Sequence, residues 1–211
     1  MIATKSRGRV EVTNALAELG LELEDLTVAI ERGEVARDSC SDNDPPSAPG
    51  FDAWAKSVRA LRDRLIPRKW TRNDDGNFST VVSPDGKLAI AVATGDEQTG
   101  QTEGEPPQTK HARGPSAGAA INLNQYLLFR EKGTTVADQL AEKKKRITWI
   151  LLKRRFKSTV FAELSLPASM IENEPVKDWL RRIILEPILI ESSVIVETDT
   201  QQVDVSVRRR S

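Results

Sequence analysis

The chain has one histidine and one cysteine among its 211 residues. A structural zinc site needs four Cys or His ligands, and a catalytic zinc site usually has two or three His. Nucleophile–base pairs of the Ser–His or Cys–His kind need a histidine that a third group orients. His111 instead stands in a segment rich in Gly, Pro, Gln and Thr. The sequence therefore predicts no catalytic residues, no metal ligands and no cofactor, and it favours a protein that is not an enzyme.

Long apolar segments are also missing. No run approaches the roughly 20 apolar residues that a membrane-spanning helix needs, and the first residues contain no hydrophobic segment typical of a secretory signal. A single cysteine, Cys40, cannot form a disulfide within the chain. We therefore expect a cytoplasmic domain with no membrane association. The sequence makes no prediction about oligomeric state.

Net charge of one sign is absent, because 31 Lys and Arg balance 31 Asp and Glu. This excludes a globally basic nucleic-acid-binding protein but not a local basic surface. Residues 1–50 contain 5 basic and 10 acidic side chains, whereas residues 119–160 contain 10 basic and 3 acidic ones. Two explanations remain open: the basic region contacts an external acidic partner, or the two regions face each other within the fold.

Helical patterns dominate the first third of the chain. Leu23, Leu26 and Ile30 have helical spacing and predict a helix that starts near Glu22. The Asp-, Ser- and Pro-rich segment 39–50 is typical of a linker. The clearest amphipathic helix follows, with its apolar side chains spaced by three and four residues: Phe51, Trp54, Val58, Leu61 and Leu65. We expect an N-terminal helical segment over 1–38, a linker over 39–50, and a domain over 51–207.

Strand patterns dominate the remainder. Leu88–Thr94 is apolar on both faces and predicts a central strand, and 147–152 with 159–166 predict a hairpin around a basic tip. Residues 95–118 lack any hydrophobic side chain larger than alanine and predict a long flexible loop. The segment 121–129 returns to the core as a helix or a strand, and 134–146 predicts a short helix. The expected fold class is α+β, with the N-terminal helices packed on a mainly antiparallel sheet of about five or six strands.

Three features of the sequence could indicate a catalytic or nucleotide-binding site. Residues 95–102 have the Gly spacing of a phosphate-binding loop, but Gln101 replaces its lysine and no helix pattern follows, which excludes nucleotide binding there. Acid-x-Lys matches occur at 142–144 and 85–87, as in metal-dependent nucleases, but the first ends a helix pattern and the second lies in a turn. Glu163, an acid within an apolar strand, fits a solvent-facing position best.

A basic constellation with interleaved aromatic residues is the strongest candidate for a binding site. Cations supply affinity for phosphate, and aromatic rings stack on unpaired bases. The two halves of the constellation are separated by a strand of about 20 Å, which predicts a stripe rather than a compact pocket. The candidate residues are Lys143, Lys144, Lys145, Arg146, Lys153, Arg154, Arg155, Phe156 and Lys157.

The sequence thus predicts a non-enzymatic binding module that contacts an acidic partner, a nucleic acid such as DNA or a protein, through its basic hairpin. A carboxylate- and Mg²⁺-dependent nuclease or related hydrolase is the alternative. A second alternative is an inhibitory or structural subunit that binds another protein through its acidic N-terminal helices.

Overall fold

A computed structural model describes residues 4–112, 114–129, 146–169 and 174–190. The predicted helix at 134–146 and the predicted closing strand at 203–207 lie outside these residues, apart from Arg146. Four helices are present in the described part: α1 (Arg9–Ala17), α2 (Leu23–Asp38), α3 (Ala48–Leu65) and α4 (Pro115–Phe129). Its strands are β1 (Thr4–Ser6), β2 (Thr71–Asn73), β3 (Thr80–Val82), β4 (Leu88–Thr94), β5 (Ile147–Phe156), β6 (Thr159–Ser169), β7 (Asp178–Ile184) and β8 (Ile188–Leu189).

The eight strands form one mixed sheet in the order β1-β7-β6-β5-β4-β3-β2, with β8 also paired to β6. The α+β class is confirmed, and five of the seven strand pairs are antiparallel as expected, but the prediction of about five or six strands is wrong. The sheet has more strands, and β4–β5 and β1–β7 are parallel pairs. A parallel pair needs a crossover connection, and the chain between β4 and β5 contains α4, which sequence patterns left undecided between helix and strand.

Helices cover both faces of the sheet. One core cluster joins side chains of α1, α2 and α3 to one face, where Ile90, Leu151 and Leu164 are buried. A smaller cluster joins Ile121 of α4 to the opposite face, where Ile150 is buried. The N-terminal helices do not all lie directly on the sheet, because α2 packs chiefly on α3, while α3 contacts β3 and β4 and α1 contacts β7.

The two long N-terminal helices begin close to where the sequence predicts. At the start of α2 the backbone N–H of Glu22 donates to the Asp25 carboxylate at 2.9 Å, which satisfies one of the free donors of the helix end. The shorter helix α1 begins after Gly8. In α3, Leu61 and Leu65 are buried against the sheet. Burying each leucine side chain contributes about 1.5–3 kcal/mol.

The hairpin of β5 and β6 is confirmed, but its strands are longer than predicted. Backbone pairing continues to Phe156↔Thr159, which leaves Lys157 and Ser158 as a two-residue turn. Lys157 has a φ of 55°, in the left-handed region that such tight turns use. Lys153, Arg154 and Arg155 therefore lie within a strand and not at a loop tip, so their side chains alternate between the two faces of the sheet.

Candidate binding cleft

The two faces of β5 present cations to different surroundings. Trp149 and Leu151 belong to the core beneath α2 and α3, whereas Ile150 and Leu152 belong to the core beneath α4. By strand alternation, Lys153 and Arg155 share the first face, and Arg154 and Phe156 share the second. The surroundings of Lys153, Arg154 and Arg155 follow from this alternation.

Lys153 is 2% exposed and is not a surface cation. Its Nζ donates to Glu34 Oε1 of α2 at 2.8 Å and to the Ala53 carbonyl of α3 at 3.3 Å. Burial lowers the pKa of Lys153 from its ordinary value, and the Glu34 carboxylate opposes that shift. A Cβ atom at Gly33 would stand 2.8 Å from Nζ, so glycine is needed where α2 approaches the lysine. The prediction that Lys153 is available to a partner is contradicted by these contacts.

Arg155 is also engaged within the molecule. Its guanidinium forms ion pairs with Asp38 and, at 3.6 Å, with Glu34, both on α2. The hydrogen bond to Asp38 raises the pKa of Arg155 above its ordinary value. For Lys153 and Arg155, the explanation that the acidic and basic regions face each other within the fold is therefore correct.

Arg154 differs from both of its cationic neighbours. Its Nη1 donates to the backbone carbonyl of Glu97 at 3.2 Å, and its guanidinium carbon lies 5.4 Å from the ring centre of Phe156 and 5.9 Å from that of Phe161. No ion pair joins Arg154 to a carboxylate within the described residues. Its charge is thus stabilised by rings and one carbonyl, and it is not neutralised by an acid.

The end of the hairpin carries an exposed ring between cations. Phe156 is 53% exposed, and the Nζ of Lys157 lies 5.5 Å from the centre of its ring. The exposed position that the sequence predicts for Phe156 is confirmed, as is the buried position of Trp149.

A cleft opens beside Arg154, where β4 ends and β5 continues. It has a volume of about 880 Å³ and is lined from four directions: by α2, by the start of α3, by the loop after β4 and by β5. Its charged side chains number four basic and two acidic, with one histidine, and two aromatic rings complete the lining. These side chains are Arg37, Lys110, Arg154, Arg155, Asp96, Glu97, His111, Phe51 and Trp54.

Backbone pairing places Lys110 and His111 at the cleft. The loop that leaves β4 at Thr94 returns beside that strand, where the Lys110 N–H donates to the Thr94 carbonyl at 2.9 Å. Gly95 and Thr109 form an antiparallel bridge next to this bond. Because the two ends of the loop are joined in this way, the exposed side chains of Lys110 and His111 are held beside β4 although they are far from β5 in sequence.

A buried ion pair anchors the same loop on the sheet. Glu163 of β6 and Arg182 of β7 are joined at 2.6 Å and are both buried. Glu163 accepts from the Gly100 N–H at 2.9 Å, and Arg182 donates to the Gln101 carbonyl at 3.0 Å. The interpretation of Glu163 as a solvent-facing residue is therefore wrong. The loop covers this face, and the carboxylate holds the loop in place.

The motifs at 85–87 and 95–102 lie in turns and a loop, and the motif at 142–144 lies outside the described residues. Asp85 accepts from the Ser83 hydroxyl and the Lys87 N–H, and the Ser83 hydrogen bond lowers the pKa of Asp85. The loop at 95–102 is followed by irregular backbone until α4 begins at Pro115, so it lacks the helix of a phosphate-binding loop. In the described ranges, no cluster of three or more His, Cys, Asp or Glu is arranged to hold a metal ion.

The structure thus brings together only part of the predicted constellation. Arg154 and Arg155 line the cleft, and Phe156 and Lys157 follow on the hairpin end. Arg146 lies at the other end of β5, where its Nε donates to the Gly86 carbonyl at 3.3 Å. Lys143, Lys144 and Lys145 lie outside the described residues.

Sequence reasoning missed seven of the nine charged and aromatic side chains that line the cleft. They come from three separate segments of the chain: Arg37, Phe51, Trp54, Asp96, Glu97, Lys110 and His111. The sequence offered one indication for the side chains of the loop after β4, because a loop of that length is typical of a functional segment.

Comparisons with protein-family models, with curated proteins and with solved structures gave no match to this chain. Among the helices of the described residues, none combines the length and the apolar character that crossing a membrane requires. The cytoplasmic location stays a prediction. The evidence for function therefore comes from the geometry of this molecule.

Proposed function

We propose that the protein is a non-enzymatic binding module that contacts an anionic partner, a nucleic acid or an acidic protein, through the cleft and the adjoining hairpin end. The observation that carries this proposal is the position of Arg154. Its guanidinium lines an open cleft and forms no ion pair with a described carboxylate, whereas Lys153 and Arg155 on either side of it are paired with α2.

The surroundings of Arg154 support the same conclusion. Lys110 is exposed at the cleft and Lys157 is exposed at the hairpin end, and neither forms an ion pair within the described ranges. A concave site lined by aromatic rings and a few converging polar groups is the usual form of a ligand site. Cations that remain unpaired in such a site attract an anionic ligand at long range.

The residues that suggested the two alternative functions have internal roles. Glu163, the candidate carboxylate of a hydrolase, is buried and paired with Arg182. On α2, Asp25 is buried and paired with Arg64 and Arg68, and Glu34 is buried beside Lys153. Asp25, Glu34 and Glu163 thus stabilise the fold, while Glu22 and Glu24 are exposed but are paired with Arg68 and Arg64. No observation among the described residues favours either alternative, so we propose neither.

The proposal is tested by removing the unpaired cations together. A variant with Arg154→Gln, Lys110→Gln and Lys157→Gln is compared with wild-type protein for binding to labelled RNA, DNA and an acidic peptide at low and moderate salt. Each lost phosphate contact lowers affinity and reduces the salt dependence. We expect at least a tenfold loss for the partner that binds, with a shallower salt slope.

The matched control removes three exposed cations outside the cleft. Arg9→Gln, Lys56→Gln and Arg72→Gln change the net charge by the same amount, and these side chains are exposed on α1, α3 and β2. Equal losses in the two triple variants would show that total charge and not the cleft governs binding. Absence of binding by the wild-type protein to all three polyanions would overturn the proposal.

A further inference from the structure

Two exposed aromatic side chains flank the unpaired cation of the cleft. Phe51 is 62% exposed at the start of α3, and its ring centre lies 5.7 Å from that of Trp54 with the planes tilted by 49°. Phe156 is exposed at the hairpin end beside Arg154 and Lys157. Leaving large rings in water forgoes the stabilisation that burial would bring. Phe156 thus combines an exposed ring with two adjacent cations, and Phe51 places a second exposed ring in the lining of the cleft that Arg154 also lines.

The geometry points to single-stranded nucleic acid as the ligand. We infer that a segment of single strand lies across the cleft and along the end of β5, with bases stacked on Phe51 and on Phe156. Its phosphates then lie near Arg154, Lys110 and Lys157. This inference rests on the proposed function and names the partner class of the same site.

The aromatic rings favour an unpaired strand over other anions. In a duplex the base faces are stacked on one another and cannot reach Phe51 or Phe156, whereas the splayed bases of a single strand stack on such rings with little sequence preference. An acidic peptide would use the cations but gains nothing specific from two separated exposed rings.

The extent of the surface favours a polymer over a free nucleotide. From Arg154 to Phe156 the strand advances two residues, or about 7 Å, and neither Phe156 nor Lys157 is among the residues that line the cleft. The ring and the cation at the hairpin end therefore lie beyond the cleft that contains Phe51 and Trp54. A ligand that contacts both parts has to continue along β5, as a strand of several nucleotides does.

The experiment measures fluorescence anisotropy of the full-length protein with a labelled 12-nucleotide single strand of RNA and of DNA. Unlabelled competitors are a duplex of the same length, poly-glutamate and a mixture of nucleoside monophosphates. Phe51→Leu and Phe156→Leu keep an apolar side chain but remove the ring. Each is expected to weaken single-strand binding about five- to a hundredfold, in line with the loss of one stacked base.

Val10→Ala and Val35→Ala provide the matched control, because both valines are exposed outside the cleft. These variants are expected to bind the single strand as the wild type does. Circular dichroism and the urea midpoint of each variant confirm that the fold is intact.

The outcomes separate this inference from the proposed function. Preference for single strand over duplex, together with losses confined to the two phenylalanine variants, supports it. Binding of poly-glutamate or duplex that equals single-strand binding, with no effect of either phenylalanine, overturns the inference but leaves the anion-binding function. Competition by mononucleotides at the same nucleotide concentration also overturns it. If no polyanion binds, both proposals fall.

Discussion

Lys153 and Arg154 are neighbours in the chain, yet their charged groups lie on opposite faces of the sheet and in different surroundings. Lys153 is buried between α2 and α3 with Glu34 as its acid. Arg154 lines an open cleft with two aromatic rings and a carbonyl as its neighbours. The same contrast recurs in the next two residues, where Arg155 pairs with α2 and Phe156 is exposed.

The difference shows that a cluster of cations in sequence is not a cluster in space. Strand alternation sends successive side chains to opposite faces, and among the described residues only the β5 cations that face α2 form ion pairs. Two of the three cations of β5, Lys153 and Arg155, therefore stabilise the fold. The cationic surface that is left for a partner is therefore smaller than the composition indicates. It consists of Arg154 on β5, Lys157 in the turn and Lys110 beside β4.

The largest effect on stability is expected from removing Glu34, the carboxylate of α2 that pairs with Lys153. Glu34→Gln leaves Lys153 buried without a carboxylate, which should lower the free energy of unfolding by about 3–5 kcal/mol in urea denaturation. Combining it with Lys153→Met should restore much of the loss, because the unpaired charge is then gone. Glu31→Gln, an exposed position on the same helix, should change stability by less than about 0.5 kcal/mol. Equal stability of the Glu31 and Glu34 variants would contradict the conclusion that Lys153 depends on a buried carboxylate.

The pH dependence of the Glu34→Gln variant sharpens the same point. Burial lowers the pKa of Lys153 from its ordinary 10.5 and Glu34 opposes this, so without Glu34 the folded chain releases the lysine proton at a lower pH than the unfolded chain does. Between those two pKa values the unfolded state binds more protons, and stability therefore rises with pH. The deficit of the variant should shrink as the pH is raised from 7 toward 10. If the free energy of unfolding of the variant and of the wild type changed with pH in parallel, the charge on Lys153 would not be the cause of the lost stability.

The smallest effect on stability is expected at Arg154, on the face of β5 that is turned away from α2. Arg155→Gln removes hydrogen bonds to charged groups on α2 and should cost about 1–2 kcal/mol. Arg154→Gln breaks no ion pair to a described carboxylate and should stay within about 0.5 kcal/mol of wild type. Thermal and urea unfolding of the two variants, measured side by side, check this. A larger loss of stability in the Arg154 variant than in the Arg155 variant would contradict the view that Arg155 stabilises the fold and Arg154 does not.

Local patterns predicted much of the fold because they reflect local physics. The spacing of apolar residues in α3 and the two apolar faces of β4 are properties of short segments, and both appear where they were expected. The strand count and the parallel pairing were not predictable in the same way. Nothing local shows that β4 pairs with β5, because their pairing is set by the crossover through α4.

The candidate site was predicted only in part for a similar reason. Phe156 could be placed correctly from its position near a hairpin turn. The error at Lys153 came from ending the strand at 152, which put the last four residues of β5 in a loop and hid their alternation. Lys110 could not have been assigned to the cleft, because it reaches β4 through backbone pairing of a loop without any hydrophobic pattern.

By itself the amino-acid order determined which segments become helices and strands, which side chains are apolar enough to be buried, and that cations accumulate around the hairpin. The assembled molecule alone decided which of those cations are neutralised. Lys153 and Glu34 are 119 residues apart, and they meet because α2 packs on α3 above β5. Ion pairing depends on distance and burial, and neither quantity exists for these residues until the chain has folded.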